Sequence, residues 1–235
     1  MTNDPFIGLE FNKKDHIYTY KGQELESVTR FIEQFQKPFD REFWSKRKAK
    51  QEGITQEEML KKWDDKSQLA LACGTEVHEM IESFLKEELI EPHQDAMQRA
   101  ANLFNGWRDW WLKRKQVETS AIEWRMFNEA WGIAGTADLL TKNRDEYILL
   151  DWKTNEKFST DNKFDNLLSP FDQFQDCDLN KYSLQLSLYM LLAQKAGIPI
   201  SSAWIIHISE KITAYKVWDH LFIHELERIL DKRII

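Results

Sequence analysis

The sequence predicts an α/β fold of α+β-like layout: a central mixed sheet flanked by helices, with a helical region ahead of it. Three observations lead there. Apolar runs at 117–127, 131–141 and 146–152 are separated only by short polar turns, the pattern of an antiparallel meander. A helical stretch, 179–196, is closed by Gly197 and Pro199 and leads to two more strand-like runs, 201–208 and 212–217. Most of residues 27–116 reads as helix, by the spacing of its apolar positions and by its capping signals.

Taken in order, residues 6–25 read as a small strand–turn–strand unit. Phe6 to Phe11 is apolar-rich, Asn12 to Asp15 is a turn, and Ile17 to Tyr20 is a strand ended by Lys21-Gly22. Ser27 caps a helix whose stripe is Val28, Phe31, Ile32 and Phe35, stopped by Pro38. A charged helical region runs to about 65 and contains the capping-box pattern Thr55-Gln56-Glu57-Glu58. Long helices follow at 66–90 and 94–116; on the second, Trp107, Trp110 and Trp111 share a face and read as packing residues. After the meander, 154–178 is a long polar loop, the kind that is usually functional or partly disordered. Asp219 caps a last helix. No internal repeat is visible. The whole reads as a single domain, 1–235, with 27–115 as a helical arch or wall and 117–217, including helix 179–196, as the sheet.

Composition narrows the function. The chain has 235 residues and a net charge of −7, which argues against coating nucleic acid over its whole surface. A local basic channel stays open, because Lys46-Arg47-Lys48-Ala49-Lys50, Lys61-Lys62 and Lys113-Arg114-Lys115 cluster. Cys73 and Cys177 are far apart and in no ligand spacing, so neither a disulfide framework nor an iron–sulfur cluster is expected. No apolar run spans a bilayer and Met-Thr-Asn-Asp-Pro is no secretory signal, so the expected location is cytoplasmic.

The chemistry concentrates in Gly135-Thr136-Ala137-Asp138 and, twelve residues on, Leu149-Leu150-Asp151-Trp152-Lys153. Residues at i and i+2 of a strand share a face, so Asp151 and Lys153 lie side by side. A tight turn near Asn143-Arg144-Asp145 brings Asp138 to both. Clustered carboxylates repel and bury poorly unless a cation lies between them, and an oxygen-rich site suits Mg²⁺ or Mn²⁺. A lysine beside such an ion suits metal-dependent cleavage of a phosphodiester.

Two helices add polar pairs at i, i+4 spacing. His78 and Glu82 share a face of the first, within reach of a metal at Asp138 and Asp151. Alone this is a weak signal, since a half-buried helical histidine is more often a packed residue. Gln185 and Tyr189 interrupt an apolar face of the second. They are either a buried pair satisfied by backbone or groups facing the catalytic strands.

In order, these residues form Gly-Thr-x-x-His-x-x-x-Glu at 74–82, Glu123 on a strand, Gly-x-x-Asp at 135–138, Asp-x-Lys-Thr at 151–154 and Gln-x-x-x-Tyr at 185–189. That series resembles the PD-(D/E)XK nuclease superfamily, and within it the RecB-type exonuclease branch of phage and mitochondrial genome-maintenance exonucleases. The opening His16 to Tyr20 and Ser27-Val28-Thr29 is similar to the start of phage-type members. The resemblance implies a restriction-endonuclease-like core. It implies that Asp138, Asp151, the Trp152 carbonyl and His78 hold the metal, Mg²⁺ or Mn²⁺. It gives Lys153 the attacking water and the transition-state charge, and makes Gln185 and Tyr189 a helical motif that supports the site and, with Lys181, touches DNA. Glu123 fills the strand acidic position and Glu82 stands behind the ligands. An aspartate at 151 replaces the commoner glutamate, a change accepted within the branch.

The leading expectation is a metal-dependent deoxyribonuclease, an exonuclease on single strands or DNA ends, working in a bacterial or phage-infected cell. No P-loop pattern is present, so a helicase or recombination partner would be separate. A structure-specific or restriction-like endonuclease is the alternative within the same chemistry. A catalytically inactive DNA-binding module is the alternative of another class, opposed by the presence of every motif residue.

Overall fold

The computed structural model describes residues 4–89, 98–114, 117–217 and 220–234. Three short strands open the chain: β1 (Glu10–Asn12), β2 (Ile17–Tyr20) and β3 (Gln23–Ser27). β3 is one strand more than the pattern predicts. Its sequence, Gln-Glu-Leu-Glu-Ser, buries only Leu25 and so carries no apolar alternation to read. The first strand also starts later than Phe6, because Pro5–Gly8 is a turn.

Four helices follow. α1 (Val28–Glu33) begins where Ser27 Oγ accepts the Arg30 amide at 3.1 Å, as the cap predicts. α2 (Arg41–Glu52) is capped by Asp40 and ends at Gly53, whose φ of 69° is left-handed. α3 (Gln56–Leu85) starts on the predicted capping box and is one continuous helix of 30 residues. The boundary expected near 65 does not exist: nothing between Gln56 and Leu85 breaks helical geometry, since charge alone does not stop a helix. α4 (Gln98–Leu112) carries Trp107, fully buried, and Trp111 stacked on it at 5.7 Å, in keeping with a packing role.

The meander is β4 (Glu118–Asn128), β5 (Ile133–Asn143) and β6 (Glu146–Lys153), antiparallel throughout. α5 (Asp178–Lys195), β7 (Ile200–Ile208), β8 (Ile212–Lys216) and α6 (His220–Asp231) complete the order. The proposed cap Asp219 lies outside the described residues. The sheet is mixed. β3 pairs parallel with β5 and β6 parallel with β7, and its order is β1-β2-β3-β5-β6-β7-β8, with β4 also on β5.

Strand alternation divides the apolar residues between two cores. Leu140, Leu149 and Ile205 pack with α1, α5 and α6 on one face. Leu139, Leu150, Trp152 and Ile206 pack with α3 and α4 on the other. The arrangement is helix–sheet–helix, an open mixed sheet flanked by helices. The 27–115 region is therefore not a single wall: α1 lies against α5 on one face, while α4 and the second half of α3 cover the other. Loop 154–178 is anchored, with Leu167 and Phe171 buried in the first core. Among the described residues no helix is long and apolar enough to cross a membrane.

One detail of the sheet positions the site. β4 pairs with β5 along nearly its whole length. The opposite edge of β5 is shared: β3 takes Ile133 and Ala134, β6 takes Leu139 to Asn143. Between them, residues 135–138 border a fork in the sheet. Gly135-Thr136-Ala137-Asp138 is that segment.

Candidate active site

The fork opens into a cleft of about 820 Å³ lined from both helical layers, with α3 supplying Gly74, His78 and Glu82 and α5 supplying Tyr182, Gln185 and Tyr189. Two glycines allow the close approach. A Cβ on Gly135 would lie 2.5 Å from the Tyr189 ring and 3.0 Å from Val28. A Cβ on Gly74 would lie 2.9 Å from Thr154 Oγ1. The helices can therefore approach the sheet closely at both points.

The structure brings together most of the residues singled out by sequence. Asp138 Oδ2 accepts the Trp152 amide at 2.5 Å, and Oδ1 is 3.4 Å from His78 Nδ1. Asp151 Oδ2 is 2.6 Å from Lys153 Nζ. Glu123 lines the same cleft, and His78, Glu123 and Asp138 each offer a ligand atom within 4.8 Å of the other two. Gln185 Nε2 donates to Tyr189 Oη at 3.0 Å, both buried, so this pair satisfies itself across one helical turn rather than through backbone. The Trp152 ring is packed in the second core, which leaves its backbone at the cleft. Glu82 lines the cleft and pairs with Lys86 at 2.6 Å. Lys181 does not line it; it pairs with Asp176 at 2.6 Å.

Electrostatics follow from this crowding. Burial and then the neighbouring Asp138 and Glu82 push the Glu123 carboxyl up to about 7. Burial likewise pushes Asp151 up to about 6, with Asp138 adding to it and Lys153 opposing. Burial works against ionised Asp138 too, but His78, Lys153 and the Trp152 amide outweigh it and hold it below the usual range. Burial opposes a charged His78, and the Asp138 carboxylate overcomes it and raises the imidazole pKa. Three carboxylates against one lysine and one imidazole leave negative charge uncompensated. Oxygen donors with one imidazole suit a hard divalent cation there, so the residues fit such an ion.

Other features in and around the cleft form no motif in the sequence. The Tyr182 ring lies 4.5 Å from Lys153 Nζ. Its signal was available, since Tyr182, Gln185 and Tyr189 form an i, i+3, i+7 stripe. His207 is the register partner of Lys153 on β7, and its Nε2 lies 2.8 Å from the Asn155 carbonyl. Strand register between distant segments leaves no mark in the sequence. Tyr18 Oη meets Thr136 Oγ1 at 2.9 Å, and Lys13 Nζ meets Glu79 Oε1 at 2.6 Å.

No curated protein matches the chain. Among solved structures, the crystal structure of SSO0001 matches at 18% identity and TM-score 0.34, over 57% of this chain and 58% of that one. A candidate exonuclease from Eubacterium rectale matches at 15% identity and TM-score 0.44, over 69% of this chain and 64% of that one. The matched part spans about three-fifths of the length of each. The family model of the PD-(D/E)XK nuclease superfamily matches residues 41–228, which take in α3, α5 and strands β4 to β6 at the cleft but not β1 to β3. By that match over most of its length, the chain belongs to the PD-(D/E)XK nuclease superfamily.

Proposed function

We propose that this protein is a Mg²⁺- or Mn²⁺-dependent deoxyribonuclease of the RecB-type branch that degrades DNA from its ends, single strands above all. The observation that carries the reading is the placement of Lys153 Nζ, 2.6 Å from Asp151, in the cleft where His78, Glu123 and Asp138 converge. His78, Glu123 and Asp138 would hold the ion, with Asp151 and the Trp152 carbonyl beside them. When bound, the ion polarises a phosphoryl oxygen and acidifies a water.

The chain's own residues do the rest. Lys153 keeps its ammonium between Asp151 and the Tyr182 ring. From there it orients a water and offsets charge developing on the phosphoryl oxygens. The Gln185–Tyr189 pair braces the fork from the α5 side. Preference for ends is supported by the RecB-type order of motifs at 74–82 and 123–189, and by α3 and α5, which line the cleft from its two sides. A strand reaching the acidic cluster would pass between these two helices, which favours a thin single strand over a duplex.

The test is a time course on end-labelled single-stranded, double-stranded and circular DNA with Mg²⁺, Mn²⁺ or EDTA. Linear DNA should disappear with either metal, circles should survive, and Lys153→Ala should lower the rate by about 100-fold or more. Cutting of circles would make the protein an endonuclease. Binding without cleavage of any substrate would sink the enzymatic reading.

A further inference from the structure

The matched family region begins at residue 41, yet Phe11, Lys13, His16 and Tyr18 line the cleft. They lie on β1, β2 and the turn between them. Tyr18 is the base of this hairpin: it is buried, and its hydroxyl meets Thr136 at the fork. The Phe11 ring stacks on Tyr18 at 4.5 Å, and His16 stands edge-on to Phe11 at 5.1 Å. Unlike Tyr18, His16 is exposed and Phe11 half-buried. His16 takes a left-handed φ of 55°, a conformation with a steric cost for a residue bearing a Cβ. One cation lies by the rings and a second sits in the turn between the strands. Arg125 lies 5.6 Å from the Phe11 centroid, and Lys13 reaches Glu79 on α3 through an exposed ion pair. Such a pair is weak and easily exchanged for a phosphate oxygen.

We propose that this hairpin is a nucleotide-gripping rim of the cleft, in which Phe11 and His16 stack a base of the substrate strand and Lys13 binds its phosphate. The inference rests on the nuclease reading and adds to it a binding element ahead of the matched residues 41–228. Aromatic faces beside cations are the chemistry that holds single-stranded nucleic acid without reading its sequence, because every base has a π-face. Lys13 matters more here than on an open surface, since Glu79, Glu82 and Glu123 surround it and repel a phosphate.

The experiment measures affinity for a short single-stranded DNA by fluorescence anisotropy in the Lys153→Ala protein with Mg²⁺, and kcat and KM in the otherwise native protein. Phe11→Leu with His16→Ala should weaken binding and raise KM about tenfold while leaving kcat within about twofold. Phe11→Tyr should restore affinity, which separates a stacking role from loss of fold. An oligonucleotide with abasic residues should bind both proteins equally. Lys13→Ala should lower the slope of log K against log salt by about 0.7. Native KM in the ring variants, or a loss that persists on abasic DNA, would overturn the rim while DNA cleavage itself stands. Absence of both binding and cleavage in the native protein would overturn the nuclease reading and the rim with it.

Discussion

Glu123 has a left-handed φ of 48° in the middle of an extended strand and shares its surroundings with Asp138 and Glu82. Backbone in that region costs about 1–3 kcal/mol at a residue with a side chain and persists where the surrounding structure imposes it. Its carboxyl, raised from 4.5 to about 7, binds more protons in the folded chain than in the unfolded one across that window. Stability is therefore present at low pH and lost as the pH climbs through it. Asp151, raised to about 6, and His78, also raised, act in the same direction, while Asp138, held low, acts in the opposite one. In a chelator the melting temperature should fall between about pH 5 and pH 7.5. Glu123→Gln should flatten part of that fall, above all its upper end near pH 7, raise the melting temperature at pH 7.5 by about 2–4 °C for each kcal/mol relieved, and weaken Mn²⁺ binding. A variant that melts lower at pH 7.5 with unchanged Mn²⁺ affinity would remove Glu123 from the metal centre.

At the scale of elements, Gly135 and Tyr189 bind α5 to the fork. Gly135→Ala forces the Tyr189 ring to move, because the added carbon would lie 2.5 Å from it. The expected cost is about 1–3 kcal/mol by urea denaturation, together with reduced cleavage. An unchanged midpoint would mean that the ring swings away freely. Helix α3 behaves differently along its length: residues 64–72 are exposed on every side, while Cys73, Val77 and Ile81 are buried. Hydrogen exchange should be fast at 64–72 and slow at 77–85, and uniform protection would show a partner covering the open turns. These elements also show what the sequence could reveal. β4 to β8 were legible because their apolar residues alternate between two cores, and Asp138, Asp151, Lys153 and His78 because local spacing places them. β3 was not, having one buried side chain, and the unbroken α3 was not, because a charged stretch looks the same whether a helix continues or restarts. His207 and Lys13 act through contacts with segments far away in the chain, which no local pattern records.

For the molecule as a whole, a net charge of −7 and a cleft rich in carboxylates oppose a polyanionic substrate. DNA affinity of the Lys153→Ala protein should accordingly be much higher with Mg²⁺ than with EDTA, as read by anisotropy, and equal affinity in both would show that the strand docks away from the acidic cluster. The shared edge of β5 bears on how the site is assembled. Glu26 pairs with Ile133, so β3 waits through the synthesis of α1 to α4 and β4 before its partner exists. Such a distant pairing is slow to form. The fork that seats Asp138 is complete only when β3 and β6 both hold β5, and β6 comes later in the chain. A nascent chain on the ribosome thus carries every candidate site residue up to Asp138 before the cleft that gathers them exists, and the cleft takes shape only once β6 has joined β5.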